Sequence, residues 1–218
     1  MRTVAVVGGT GPQGSGLAFR FAMAGHDIVL GSRSEARAVQ AAASLTRKGV
    51  SGAVRGATNA KACESADVVL LAVPWRGQDD LIGELAPHLS GRVVVSCVNP
   101  LGFDARGPYG LDLGQNSAAE RVQEMLPDAA VVGAFHHLSA VSLATDATLA
   151  HEDILVCGDD ADAKATVIEL AKAVTGKPGI DAGALRLARQ LEPLTAVLIS
   201  INKKYKVRSG IAVAGLAH

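Results

Sequence analysis

Aromatic side chains are scarce: one tryptophan, two tyrosines and four phenylalanines in 218 residues. A core must therefore be assembled from Ala, Val, Leu and Gly, and a hydrophobic content of 49% supplies enough of them. An excess of either charge is also absent. Lys and Arg number 21, matching the 21 Asp and Glu, so the chain lacks the basic footprint of a nucleic-acid binder. Charged residues at 19% are too few for a coiled coil or a disordered chain. Cys63, Cys97 and Cys157 are odd in number and lack metal-ligand spacing. That excludes a disulfide framework and makes a reduced, cytoplasmic setting the expectation. No hydrophobic run is long enough for a signal-peptide core or a membrane span. Internal repeats and low-complexity tracts are missing too.

What is present is alternation. Short Val/Ile/Leu runs near Thr3–Val7, Asp27–Leu30, Ala53–Arg55, Val68–Ala72, Arg92–Ser96 and Val131–Ala134 read as strands. Segments near Gln13–Ala24, Ser34–Thr46, Asn59–Ala66, Gln78–Glu84 and Ser117–Leu126 read as helices between them. This is the pattern of an α/β protein with a doubly wound (Rossmann) parallel sheet. Val98 to Gln115, rich in Gly and Pro, reads as a long functional loop. After His136 the rhythm weakens. A strand near Ile154–Cys157, a helix near Ala161–Val174, a short strand into Asp181 and a helix from about Ala184 to Tyr205 suggest a small, mainly helical C-terminal α/β unit. The expected division is residues 1–137 for nucleotide binding and 138–218 for a smaller domain.

Gly9-Thr10-Gly11-Pro12-Gln13-Gly14 follows the first strand and opens the first helix. The first glycine permits a tight turn, the second close approach of a pyrophosphate, and the third helix–strand packing. Pro12 falls at the start of the helix, where its missing N–H costs nothing, and the free N–H groups of that turn face an anion. The second strand ends in Gly31-Ser32-Arg33, with no carboxylate to hold a bare ribose 2′-OH. Arg37 lies one turn beyond Arg33, so both cations reach one side, as a 2′-phosphate requires. NADP is therefore expected rather than NAD. A plainer reading stands beside it: Ser32 and Glu35 have capping-box spacing, and the arginines are simply solvated.

Together with Gly25-His26, Pro74-Trp75, Ser117-Ala118-Ala119-Glu120, Cys157-Gly158-Asp159-Asp160, Asp181-Ala182-Gly183 and Leu194-Thr195, these motifs resemble the F420-dependent NADP reductases. The resemblance runs over nearly the whole chain. It implies hydride exchange between coenzyme F420, a deazaflavin, and NADP. It puts Thr10, Gly11, Pro12 and Gln13 on the pyrophosphate, and Ser32, Arg33 and Arg37 on the 2′-phosphate. Trp75, Leu101, Leu138 and Ala140 would line the cleft where nicotinamide meets deazaflavin. The sequence departs from archaeal members at Arg37, where some carry lysine, and at His137-Leu138-Ser139, where they carry a proline-containing turn.

Trp75 and the run Val98-Asn99-Pro100-Leu101 end strands, where open α/β sheets bind ligands. His136 and His137 would point to opposite faces of an extended strand and have no third ligand nearby, so no metal is expected. No acid–base residue is expected to be essential, and His136 is a candidate only for positioning a cofactor. Lys203, Lys204, Lys206 and Arg208 either complement a helix end or receive the anionic tail of F420. Two rival readings are an NADP-dependent imine or hydroxy-acid reductase and a non-catalytic NADP sensor. The first normally needs a proton-transfer residue and a longer helical domain. A homodimer is expected, with small-molecule partners only and neither membrane nor nucleic acid.

Overall fold

The computed structural model describes residues 1–216. The first half alternates strictly: β1 (Thr3–Val7), α1 (Pro12–Met23), β2 (Asp27–Ser32), α2 (Glu35–Thr46), β3 (Val54–Thr58), α3 (Asn59–Glu64), β4 (Val68–Leu71), α4 (Gln78–Leu89) and β5 (Val93–Ser96). A hairpin of β6 (Leu101–Asp104) and β7 (Gly107–Gly110) follows, then α5 (Ala118–Met125), β8 (Ala130–Gly133) and a short α6 (Ala140–Leu143). The chain ends with β9 (Leu155–Gly158), α7 (Ala161–Leu170), α8 (Lys172–Thr175), β10 (Ile180–Asp181) and α9 (Ala188–Tyr205).

Eight strands form one sheet in the order β10-β9-β8-β5-β4-β1-β2-β3. Every neighbouring pair is parallel except β8 and β9. Strands buried on both faces carry continuous apolar runs, and here their period of two divides the core. Val4, Val6, Ile28, Leu30, Val68 and Leu70 meet Leu17, Phe21, Leu45, Val167 and Leu170 on one face. Ala5, Val7, Val29, Val69 and Leu71 meet Ala62, Ile82, Leu85, Val122 and Leu191 on the other. Strand order reverses between β1 and β4, which opens a crevice at their carboxyl ends.

Three local expectations change. The segment from Val98 to Gln115 is not a plain loop, because the β6–β7 hairpin occupies its middle. Its glycines serve close packing: a Cβ on Gly110 would come within 2.6 Å of Pro193 Cβ on α9. Helix α4 runs past Glu84 to Leu89 despite Pro87. Leu85 and Leu89 are buried against the sheet, and that burial outweighs the lost backbone bond. The helix expected over Ala161–Val174 breaks at Ala171 into α7 and α8. After His137 the chain adds β9 and β10 to this same sheet and gives the rest to helices. Among the described residues, no helix is long and apolar enough to cross a membrane.

Candidate active site

The crevice is built first by glycine. The left-handed turn after β1 falls on Gly8, with φ +79°, rather than on Gly9 as the spacing had suggested. A Cβ on Gly8 would lie 2.5 Å from the Ala72 carbonyl oxygen, so no other residue fits there. Gly9 N–H donates to the carbonyls of Val6 (3.0 Å) and Gly31 (3.1 Å), which fixes the turn against β1 and β2. Gly14 lets α1 approach: a Cβ there would stand 2.8 Å from Gly8 O and 3.2 Å from Ala72 Cβ. Gly11 is the N-cap of α1 and has no side chain to satisfy the first turn, where Pro12 sits. Those N–H groups are left for an anion.

One cavity, of about 530 Å³, opens from this turn toward β2 and is walled by Thr10, Gly11, Ser32, Arg33, Arg37, Asn59 and Arg76. The cap of α2 is Ser34, whose Oγ accepts from Arg37 N–H at 3.4 Å, so the capping-box reading of Ser32 and Glu35 does not hold. Ser32 is buried, and its Oγ accepts from Ser34 N–H at 3.2 Å while keeping a proton to donate. The reason is geometric: β2 extends to Ser32, so the helix starts too late for Ser32 to reach its first turn. Arg33 and Arg37 are exposed, and among the described residues neither guanidinium has a hydrogen-bonded or ion-paired partner.

A second cavity, of about 490 Å³, opens on the other side of Gly11. Pro12, Gln13, Leu101, His136, Leu138 and Ala140 line it, as do Val73, Pro74, Asn99, Thr195, Leu198, Ile199, Asn202 and Ser209. The two cavities share Gly11, Ala72, Val73 and Pro74. Trp75 lines neither. The chain turns there toward α4, with Trp75 O accepting from Gln78 N–H at 3.1 Å, so the cavities meet its neighbours Pro74 and Arg76 instead.

His136 and His137 lie in a turn beyond β8, not on an extended strand. Phe135, at φ +64°, redirects the chain before them. Both rings are buried. His137 Nε2 is 2.6 Å from Leu191 O, which makes Nε2 the protonated nitrogen. The His136 ring is different: neither of its nitrogens has a partner among the described residues and both are shut off from solvent, with Cε1 packed beside Gly133, while the residue lines the cavity. Burial first, and His137 second, push its pKa down to about 3, so the imidazole is neutral at ordinary pH. Its carbonyl is clamped by Asn99 Nδ2 at 3.0 Å and Thr195 Oγ1 at 3.1 Å.

Sequence reasoning missed the contribution of α9 to this wall. Thr195, Leu198, Ile199 and Asn202 are spaced i, i+3, i+4, i+7 on one helix face, and that period was the available signal. Asn202 Oδ1 accepts from Ser209 N–H (2.6 Å) and Oγ–H (2.8 Å), so the chain after α9 folds back to the cleft. The exposed Lys203, Lys204, Lys206 and Arg208 lie between these two lining residues.

The model of a family described as NADP oxidoreductase, coenzyme F420-dependent, matches residues 3–100. The F420-dependent NADP reductase of Methanothermobacter marburgensis is 37% identical over 98% of this chain and 98% of its own. A solved structure from Arthrobacter sp., assigned as an F420-dependent NADP reductase, superposes with a TM-score of 0.83 at 26% identity, covering 98% of this chain and 100% of that one. An imine reductase of Streptomyces aurantiacus shares the fold at a TM-score of 0.55 and 19% identity, over 94% of this chain but only 61% of its own.

Proposed function

The chain belongs to the F420-dependent NADP reductase family, and we propose that its paired cavities bring NADP and coenzyme F420 together for reversible hydride transfer. The observation that carries this is the junction at Gly11, Ala72, Val73 and Pro74. There a cationic cavity suited to a phosphorylated ribose opens into a mostly apolar one. The residues fit such ligands. A Cβ at Gly8 or Gly14 would collide with the Ala72 carbonyl or the Gly8 carbonyl and break the tight turn, and the first turn of α1, opened by Gly11 and Pro12, has no side-chain cap on its N–H groups.

On this reading residues 1–137 hold NADP, and 138–218 complete the deazaflavin wall. Thr10, Gly11, Pro12 and Gln13 surround the pyrophosphate, while Ser32, Arg33 and Arg37 take the 2′-phosphate. Leu101, Leu138 and Ala140 flank the ring-stacking slot. Between them the two ligands supply hydride donor and acceptor, which needs no nucleophile and little proton transfer. The chain's task is to hold two rings in register and keep water out. Neutral His136 acts as a positioner of the cleft wall, its carbonyl held by Asn99 and Thr195, and not as an acid, because its pKa lies at about 3. We place the protein in the cytoplasm, consistent with three free, buried cysteines. We further propose a homodimer, supported by exposed Phe103 on the hairpin and Val197 and Tyr205 on the adjoining α9.

The experiment is isotopic. With NADPH labelled at the transferred position, the label is expected on the reduced deazaflavin and not in solvent. Loss of label to water overturns direct transfer, and NADPH binding without turnover makes the protein a sensor.

The basic segment gives a smaller prediction. Neutralising Lys203, Lys204 and Lys206 together should raise KM for F420 severalfold and leave that for NADPH unchanged. Added salt should act the same way, since exposed charges are screened within about 10 Å at 0.1 M ionic strength. Equal effects on both substrates would return the cluster to an ordinary helix end.

A further inference from the structure

We propose that Arg76 is a third cation for the 2′-phosphate, closing on it from the wall opposite Arg33 and Arg37. This rests on the NADP reading above. Arg76 sits in the turn between β4 and α4, just before Gly77, whose φ of +85° bends the chain into the helix. The cationic cavity spans from this turn, across the end of β1, to the start of α2. Arg76 thus faces the ligand position from the far side.

Its charge is unclaimed by the fold. Among the described residues, Arg76 has no hydrogen-bonded or ion-paired partner. The carboxylate closest along the chain, Asp79, is taken by Arg121, through Nη2 at 2.5 Å and Nε at 2.7 Å. The same wall also carries Asp80 and Glu84, one turn apart on α4. Two carboxylates lining a phosphate pocket repel the ligand unless a cation stands with them. Arg76 is that cation, and its planar fork suits bidentate phosphate contact. Its rival role is merely to neutralise Asp80 and Glu84, with no ligand contact.

The test measures binding of NADPH, NADH and adenosine 2′-monophosphate to the full chain by titration calorimetry. Arg76→Ala should weaken NADPH and adenosine 2′-monophosphate about tenfold, as loss of one charge-assisted hydrogen bond does, and NADH less than about twofold. Arg76→Lys should recover part of the loss. In an Asp80→Asn/Glu84→Gln background the Arg76→Ala penalty should persist in full. If it vanishes there, Arg76 only screens the two acids and the proposal falls. Equal losses for NADPH and NADH, or no loss, overturn it as well. The NADP reading itself fails separately: the unaltered chain would then bind NADH as tightly as NADPH.

Discussion

Replacing Arg33 and Arg37 together with alanine should weaken NADPH binding by two to three orders of magnitude and leave NADH binding within about threefold. The size follows from two charge-assisted contacts at roughly 1.5–3 kcal/mol each, less than fully additive, against about 1.4 kcal/mol per decade of affinity. Selectivity follows from geometry. Both guanidinium groups line the cavity beyond Ser32, away from the Gly8–Gly14 turn that would hold the pyrophosphate common to both nucleotides. Stability should not change, because both side chains are exposed and neither is paired within the fold. The melting temperature of the double variant is thus the control. If both nucleotides lose affinity equally, the arginines shape the fold or the pyrophosphate cradle instead. Catalysis at saturating NADPH should persist, since neither residue lines the cavity assigned to the rings.

Which parts of the site were legible depends on the range of the interactions that make them. The Gly9–Gly14 turn and the Ser32–Arg33–Arg37 group are local, so a few adjacent residues encode them. Even there the left-handed position moved to Gly8, because the constraint comes from Ala72, just past the end of the neighbouring strand β4, not from the turn's own spacing. The α9 wall could not be read in the same way. Thr195 matters because it holds the carbonyl of His136, 59 residues earlier, and such a pairing leaves no mark on either neighbourhood. The hairpin was hidden by its composition. Gly102, Gly107, Pro108 and Gly110 read as loop, yet Gly107 takes φ +122° at the bend and Gly110 admits Pro193. Strand β9 gave the right length but not its direction. Its antiparallel pairing with β8 is set by where the chain re-enters the sheet, after Ala140–Leu143 has packed on α1. Trp75 shows the opposite error: a strand-end position was read as facing the crevice, but a turn one residue wide decided which neighbours did.

The other large effect should come from Glu192, which holds the α9 wall in place. Its carboxylate accepts from Ala118 N–H at 2.8 Å and Ala119 N–H at 3.0 Å, and so caps α5 from another element. The side chain is only 1% exposed. Burial raises its pKa to about 7, against the lowering pull of those two N–H groups, and the nearby Glu120 charge adds slightly to the rise. The unfolded chain returns the group to its ordinary value of 4.5, so the folded state binds the proton more tightly. Its contribution is therefore fully present below pH 4.5 and is lost as pH rises through 7. Over that window the loss amounts to about 3 kcal/mol, at about 1.4 kcal/mol per unit of displacement. Glu192→Gln removes the titration while keeping the shape. The Gln variant should start less stable at low pH, because its amide offers one acceptor where two N–H groups converge. Between pH 4.5 and 8 the stability gap should then move in its favour by about 3 kcal/mol, measured by urea unfolding at each pH. A gap that stays constant would mean that the two N–H groups hold Glu192 ionised throughout. Thr195 follows Glu192 by three residues on α9 and clamps the His136 carbonyl, so the helix that Glu192 ties to α5 is also the one that carries the cleft wall.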